Sequence, residues 1–202
     1  NWWRIDVSGR IGYIHKDLTE IINPVIVIDP GHGGHDPGAT GHNLKEKDVV
    51  LDVSLRIKAK LEDFGFDVVL TRENDTFIEL DERVSITRSI LPALFVSIHV
   101  NAVDQESARG AETYYNQKAS FQNESRKLSN SIQRQLVNLV DMVDRGVKTA
   151  NFRVLTNNVA PSSLVELGFI TNPSDASKLA SDYYRDKFAE AISIGIVNYY
   201  NN

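Results

Sequence analysis

Residues 25–41, which read VIVIDPGHGGHDPGATG, join an aliphatic run to a loop that is rich in glycine and histidine. The run 25–28 has no polar residue alternating with its apolar ones, so we predict a strand that is buried on both faces. Glycine lets the loop after Pro30 take positive φ angles and pass close to a bound group. Open α/β sheets bind ligands at the carboxyl ends of their strands, so this stretch predicts such a fold with a binding site directly after the strand.

The loop and its end carry three histidines, and histidine is the commonest metal-binding side chain. They are His32, His35 and His42. A phosphate-binding loop is a competing interpretation, but neither G-x-G-x-x-G nor G-x-x-x-x-G-K followed by Ser or Thr is present. A glycine-rich turn that binds nothing is a third interpretation. Pattern alone does not choose among the three histidines, and Asp29 and Asp36 also stay candidate ligands.

Composition limits the classes of protein and of site. The chain has 202 residues, of which 42% are hydrophobic and 24% charged, as in a soluble globular domain with a small appendage. A net charge of −5 without clustered Lys and Arg disfavours nucleic acid as a partner. No apolar run reaches the roughly 18 residues of a membrane span. There are no cysteines, so a transition metal would need histidine and carboxylate ligands.

The hydrophobic pattern along the chain predicts alternating strands and helices. We predict strands at 25–28, 66–71, 93–100, 110–115, 152–155 and 164–170, a polar connection at 144–151, and helices at 45–64, 76–90, 121–139, 174–180 and 182–200. The second helix takes its start from a capping box, Thr76-x-x-Glu79. Right-handed crossovers make successive strands parallel. The prediction is therefore a single α/β domain whose mostly parallel, twisted sheet of about six strands is flanked by helices, with a metal site at the strand carboxyl ends.

Two residues outside the loop are expected at the same edge of this sheet. His99 lies near the carboxyl end of the strand predicted at 93–100 and so shares the edge with the loop of His32. Glu46 lies four residues before Val50 on the inward stripe of the first helix, and should face the sheet. The plainer interpretations are a packing histidine in a core strand and a first-turn glutamate that is favoured by the helix dipole.

Glu166 is the least expected residue of the chain, because it interrupts the apolar run LVELGFI. Burying a lone carboxylate costs several kcal/mol, so Glu166 should have a metal, a raised pKa or a cationic partner. Arg72 and Arg153 are the candidate partners on the structural interpretation. A further carboxylate, Glu112 in the strand predicted at 110–115, is expected to be solvated.

Two histidines and one carboxylate with an open fourth position form the ligand set of a catalytic zinc hydrolase. Glu46 would reach the metal from the start of its helix. Glu166 would then be the general base that activates water and later protonates the leaving amine. The short H-E-x-x-H helix of many zinc proteases is absent from the chain.

Blocks spread over residues 25–200 resemble the catalytic domain of the zinc-dependent N-acetylmuramoyl-L-alanine amidases of bacterial cell walls. The matching blocks are 29–39 (DPGHGGHDPGA), 44–53 (LKEKDVVLDV), 71–72 (TR), 80–84 (LDERV), 95–102 (FVSIHVNA), 110–115 (GAETYY), 144–148 (DRGVK) and 164–173 (LVELGFITNP). This resemblance implies that His32, Glu46 and His99 bind one Zn²⁺ per chain. It also implies that Glu166 is the catalytic acid and base.

The resemblance implies cleavage of the amide between N-acetylmuramic acid and the L-alanine of the stem peptide. The partner would be peptidoglycan, and the protein would be an extracytoplasmic monomer, secreted as an autolysin of the cell wall or periplasm. Within residues 1–20, two short strands are predicted on either side of a turn at Ser8 and Gly9. This segment resembles the last strands of a bacterial Src-homology-3-like domain, or forms a linker, and 24–202 form the catalytic domain. Two alternatives stay open: a zinc peptidase that acts on cell-wall peptides, and a wall-binding module without turnover.

Overall fold

The elements of secondary structure alternate between strand and helix for most of the chain. The structure is a computed structural model that describes residues 2–7, 10–15, 17 and 23–201. The strands are β1 (Trp2–Val7), β2 (Arg10–His15), β3 (Val25–Pro30), β4 (Thr40–Gly41), β5 (Leu44–Lys45), β6 (Asp67–Leu70), β7 (Leu94–Asn101), β8 (Ala111–Tyr115), β9 (Asp144–Thr149) and β10 (Ser162–Phe169). The helices are α1 (Glu46–Asp63), α2 (Leu80–Ile90), α3 (Gln122–Val140), α4 (Arg153–Thr156), α5 (Pro173–Ala180) and α6 (Asp182–Tyr200).

One six-stranded sheet, in the order β6-β3-β7-β10-β8-β9, organises the chain from residue 25 onward. Strands β6, β3, β7 and β10 are parallel to one another. Strand β8 pairs antiparallel with β10, and β9 pairs parallel with β8. The expectation of a mostly parallel α/β sheet of about six strands is therefore confirmed. The carboxyl ends of β3, β7 and β10, three neighbouring strands, lie at the same edge.

Both faces of the sheet are covered, which explains why β3 has no polar alternation. Ile26 and Ile28 point into the larger core, which is formed with α1, α3, α5 and α6. Val27 points into a smaller core with Phe95 and with Leu155 of α4. Residues 26–28 are fully buried as a result.

Three local predictions were wrong. Residues 144–149 form strand β9, where a polar connection was predicted, because an edge strand needs few apolar residues. Residues 153–156 form helix α4, where a strand was predicted, since so short an apolar run does not reveal its period. Helix α2 begins at Leu80 with Glu79 at its N-cap, and the hydroxyl of Thr76 donates to Asn74, so the predicted capping box does not form.

A hairpin precedes the sheet. Strands β1 and β2 pair antiparallel from Trp2 opposite His15 to Val7 opposite Arg10, as the two short strands were predicted to do. The predicted turn at Ser8 and Gly9 lies outside the described residues. Assignment of 1–20 to a Src-homology-3-like domain stays a prediction. Across the described residues, no helix has both the length and the apolar character that a membrane crossing requires.

The two longest helices pack closely at a glycine. A Cβ atom built on Gly195 of α6 would lie 2.7 Å from the Cα of Ile132 in α3, which is closer than real Cβ contacts come. The backbones of α3 and α6 therefore approach to a distance that only glycine allows at this position.

We expect Gly195→Ala to lower the free energy of unfolding by about 1–3 kcal/mol, because the added methyl group would force the helices apart. Alanine has a higher helix propensity than glycine, so propensity alone predicts an increase in the free energy of unfolding. Chemical denaturation measures the difference. Ser193→Ala in the same helix is the matched control: its buried hydroxyl has no hydrogen-bond partner among the described residues, so its loss should be neutral or stabilising. Equal effects of the two substitutions would contradict the close-approach interpretation.

Candidate active site

Three potential metal ligands meet at the carboxyl edge of the sheet. His32 follows β3, Glu46 is the first residue of α1, and His99 lies near the end of β7. One ligand atom from each lies within 4.8 Å of the others. The Oε1 atom of Glu46 is 3.1 Å from Nε2 of His32 and 2.9 Å from Nδ1 of His99. Ligand atoms around a tetrahedral zinc ion are roughly 3.3 Å apart, so these spacings fit one small cation.

Close backbone approach shapes this group. A Cβ atom on Gly31 would lie 2.3 Å from the ring of His99, and one on Gly38 would lie 2.6 Å from Glu46 Oε2. Gly38 also has a φ of 63°, and His32 itself has a φ of 59°, which is uncommon for a residue with a side chain. The glycines of this loop are therefore required where they pack against the ligand side chains.

Further contacts orient the ligand side chains. Asp36 Oδ2 accepts a 2.7 Å hydrogen bond from Nδ1 of His32, which leaves Nε2 directed towards Glu46. Glu46 accepts backbone hydrogen bonds from Ala39 at 2.8 Å and Val100 at 2.9 Å. Burial alone would raise the pKa of Glu46, but hydrogen bonds with the two histidines outweigh it and hold that pKa well below its usual range.

The other candidates of the loop lie elsewhere. His35 packs against the ring of Phe77, with 4.3 Å between centroids, and a ring nitrogen of His42 lies 3.4 Å from the carbonyl oxygen of Thr171. Asp36 lies behind His32. Of the three histidines that the pattern left open, the structure brings only His32 to the group with Glu46 and His99.

Asp29 is buried beneath the loop in an ion pair with Arg83, which the sequence analysis did not identify. Arg83 Nη1 lies 2.7 Å from Asp29 Oδ1 and also donates to the carbonyl of Pro30, and Nη2 donates to that of His32. Asp29 accepts further hydrogen bonds from Thr71 and Ser97. Burial alone would raise the pKa of Asp29, but the charge of Arg83 and these hydrogen bonds lower it. The carboxylate therefore stays charged and holds Arg83 against the loop.

A second guanidinium completes this support. Arg72 donates to the carbonyls of Pro30 at 3.1 Å and Gly31 at 2.7 Å, and to that of Lys47 at 2.9 Å. The backbone from 30 to 32 thus has its carbonyl groups bonded by two arginines. Their presence in the blocks TR and LDERV was visible in the sequence, but their backbone partners were not.

Within the part of the chain that the structure describes, Glu166 forms no ion pair with a lysine or an arginine. It lies on β10 between His99 of β7 and Glu112 of β8, its register neighbours on either side. Its Oε2 atom is buried and has no hydrogen-bond partner among the described residues. Arg72 binds the loop and Arg153 pairs with Asp81, so the alternative interpretation of Glu166, an arginine partner, was wrong. Burial raises the pKa of Glu166 to about 7.

Glu112 is buried, and the expectation that it is solvated was wrong. Its carboxylate accepts hydrogen bonds from Asn101 at 2.9 Å, Tyr114 at 2.6 Å and Arg145 at 2.7 Å, and from Lys148. Burial alone would raise its pKa, but these donors lower it. Arg145 and Lys148 belong to β9, which was not predicted as a strand, so the environment of Glu112 was not foreseeable.

His32, His99 and Glu166 line one cleft of about 460 Å³. Two segments supply the apolar side chains of its walls. Phe77, Ile78 and Leu80 lie at the start of α2 or just before it, and Phe152 and Val154 lie at the start of α4. A larger groove of about 1110 Å³ lies beside the amino end of β7 and contains none of these site residues.

Two imidazoles and a carboxylate at this spacing can hold a metal ion, and a carboxyl with a pKa near 7 suits proton transfer at neutral pH. This fold and cleft define a class: hydrolytic α/β enzymes whose site can hold a metal ion. The profile of the N-acetylmuramoyl-L-alanine amidase family matches residues 26–198, and the chain belongs to that family.

Similar proteins agree with this assignment. The chain is 48% identical over 189 residues to the N-acetylmuramoyl-L-alanine amidase LytC of Bacillus subtilis, covering 92% of this chain and 38% of LytC. It is 34% identical over 213 residues to the germination-specific N-acetylmuramoyl-L-alanine amidase of the same species, covering 98% and 83%. The crystal structure of an N-acetylmuramoyl-L-alanine amidase from Clostridium difficile 630 superposes with a TM-score of 0.85 at 35% identity, covering 89% of this chain and 98% of that one. The chain thus spans well under half the length of LytC.

The raised pKa of Glu166 predicts a pH-dependent cost to stability in the metal-free protein. The folded state takes up a proton at about pH 7 and the unfolded state near 4.5, so stability falls as pH rises through this window. With chelator present, Glu166→Gln should exceed the wild type in unfolding free energy by roughly 2–3 kcal/mol at pH 8. The two proteins should converge near pH 4.5. Denaturant titrations at both pH values measure the difference.

Glu112→Gln is the matched control. The pKa of Glu112 is lowered, so its charge stabilises the fold above pH 4.5 and its removal should destabilise the protein at pH 8. At pH 8 we therefore expect Glu166→Gln to raise the free energy of unfolding and Glu112→Gln to lower it. The same sign at pH 8, or a Glu166→Gln effect that is independent of pH, would contradict the assignment of Glu166 as the uncompensated charge.

Proposed function

We propose that this chain is a zinc-dependent N-acetylmuramoyl-L-alanine amidase domain that hydrolyses the amide between the lactyl group of N-acetylmuramic acid and the L-alanine of the stem peptide. One observation carries the proposal: the carboxylate of Glu166, whose buried Oε2 has no hydrogen-bond partner among the described residues, lies in the same cleft as His32 and His99. Family membership supplies the reaction class, and the cleft supplies the groups that the reaction needs.

His32, Glu46 and His99 would hold the zinc ion. Two imidazole nitrogens and a carboxylate oxygen suit Zn²⁺, and the absence of cysteine leaves histidine and carboxylate as its ligands. Zinc, when bound, would polarise the substrate carbonyl and lower the pKa of water. Because Nδ1 of His32 donates its hydrogen bond to Asp36, Nε2 is the ring nitrogen that can bind a metal.

Glu166 would move the proton. Its carboxylate accepts a proton from the attacking water as the new C–O bond forms, and donates it to the nitrogen as the C–N bond breaks. A group that takes and returns a proton works best with a pKa near the working pH, and burial brings Glu166 to about 7. Oε2 has no hydrogen-bond donor among the described residues, so the protein itself does not hold this carboxylate in its charged form. The products are the muramoyl carboxylic acid and a stem peptide with a free amino terminus on L-alanine.

The remaining expectations follow from this activity. The substrate is a polymer of the cell wall, and several relatives are cell-wall amidases by name. We propose that the protein acts outside the cytoplasm, as a monomer, with residues 24–202 as the catalytic domain. A zinc peptidase would need the same metal and base, but the amidase family of the chain favours the muramoyl amide. A silent binding module would not need the uncompensated charge of Glu166.

Incubation with purified peptidoglycan tests the reaction. We expect soluble stem peptides with new amino-terminal L-alanine, detected by end-group labelling and mass spectrometry. A chelator should abolish release and Zn²⁺ should restore it. Glu166→Gln should lower the rate by about 10²–10⁴-fold, because it removes proton transfer and leaves the ligands in place.

The identity of the new terminus separates the alternatives. New amino termini at another residue would overturn the amidase proposal in favour of a peptidase. Binding to peptidoglycan without release, in zinc-loaded protein, would indicate a wall-binding module.

Asp36→Asn should weaken Zn²⁺ binding about 10–100-fold, since the amide no longer orients and polarises the His32 ring as the carboxylate does. Competition with a chromophoric chelator measures the affinity. Asp75→Asn is the control. Asp75 accepts a 2.8 Å hydrogen bond from the backbone N–H of Gly34, which belongs to the loop of His32, but it contacts no proposed ligand. Equal losses in the two variants would mean that Asp36 acts only by ordering the loop.

A further inference from the structure

Strand β9 brings two cations to one buried carboxylate beside the cleft. Arg145 Nε lies 2.7 Å from Oε2 of Glu112, and Nζ of Lys148 contacts the same oxygen. The side chains of Arg145 and Lys148 are 33% and 39% exposed, respectively. Glu112 neutralises one of the two positive charges, so this cluster carries an excess positive charge at a solvent-accessible position.

The register of the sheet places this cluster next to the proposed proton-transfer residue. Glu112 is the direct cross-strand partner of Glu166, so the two side chains lie on the same face. Strand β9 is the second strand from β10. With about 4.8 Å between neighbouring strands, the backbone of β9 is roughly 10 Å from that of β10.

Both cations are held in place by the protein itself. The guanidinium of Arg145 lies 4.7 Å from the centre of the Phe169 ring, and Lys148 lies 6.0 Å from that of Tyr114. Tyr114 and Asn101 donate to Glu112, so the carboxylate that anchors the cations is fixed as well. An anion that binds here would not have to order two free side chains, which lowers the entropic cost of binding.

The two arginines that line the cleft itself each pair with a carboxylate. Arg83 is buried against Asp29. Arg153, on the opposite wall, pairs with Asp81 at 2.6 Å. The unmatched positive charge is therefore on the β9 side, whereas Phe77, Leu80 and the neighbouring apolar side chains form the other wall.

We propose that Arg145 and Lys148 bind a free carboxylate on the peptide part of the substrate and so direct the peptide across β8 and β9. This inference rests on the proposed function. An extended peptide advances about 3.3–3.6 Å per residue, so a carboxylate on the second residue beyond the scissile amide lies roughly 7–10 Å from it. That distance matches the separation of β9 from β10. The saccharide then lies on the side of the apolar wall.

Two synthetic substrates test the inference. Each is an N-acetylmuramoyl-L-alanyl peptide, with a free carboxylate on the second residue in one and a carboxamide in the other. For the zinc-loaded wild type we expect kcat/KM to be about tenfold higher with the carboxylate, as suits a charge-assisted contact at a half-exposed site. In Lys148→Gln and in Arg145→Gln that ratio should fall towards one. A merely structural role would lower both rates and leave the ratio intact.

Arg153→Gln is the matched control, because it removes a cation from the opposite wall and should keep the ratio. A wild-type ratio near one, or loss of the ratio in Arg153→Gln but not in the β9 variants, would overturn the inference and leave the proposed function standing. If the wild type releases peptide from neither substrate, the proposed function fails and this inference fails with it.

Discussion

The buried ion pair between Asp29 and Arg83 is the interaction on which the site depends. The two side chains are only 1–2% exposed, so neither charge would be tolerated without the other. Arg83 also donates to the carbonyls of Pro30 and His32, and Arg72 donates to that of Gly31 between them. A loop rich in glycine has many backbone conformations, and these contacts select one. The ion pair therefore fixes the backbone after strand β3 and, with it, the position of the His32 imidazole.

Three carboxylates on this face of the sheet illustrate how surroundings decide what an acidic side chain does. Asp29 and Glu112 are each buried with cationic donors, which lower the pKa and keep the group charged and structural. Glu166 lies in the same sheet, no lysine or arginine of the described ranges pairs with it, and burial raises its pKa to about 7. Cationic side chains thus compensate the charges of Asp29 and Glu112, whereas the charge of Glu166 is not compensated in this way. That difference, rather than residue type, distinguishes the carboxyl that is suited to proton transfer.

Much of this arrangement could be predicted from the sequence. Long apolar runs and helical stripes revealed most of the sheet and its flanking helices, and the parallel topology placed His32, Glu46 and His99 at one edge. The stripe of α1 even predicted the direction of Glu46. Strand β9 was missed because DRGVKT pairs at an edge and has no apolar alternation. The donors of Glu112 lie on that strand, and the partners of Arg72 and Arg83 are backbone carbonyls. Contacts between segments that are distant in sequence, and hydrogen bonds to backbone carbonyls, leave no local pattern in the sequence. The partners of Glu112, Arg72 and Arg83 could therefore be identified only from the structure.

Strand β10 is hydrogen-bonded on both sides, to β7 in parallel and to β8 in antiparallel register. Strands of this kind are usually the last to open in native-state hydrogen exchange, because opening them requires global unfolding. We therefore expect Glu166 to lie in one of the slowly exchanging strands of the sheet, whereas the cleft walls are built from loops and short helices. Fluctuations of the walls that would admit the proposed cell-wall polymer can then occur while the carboxyl of Glu166 keeps its position.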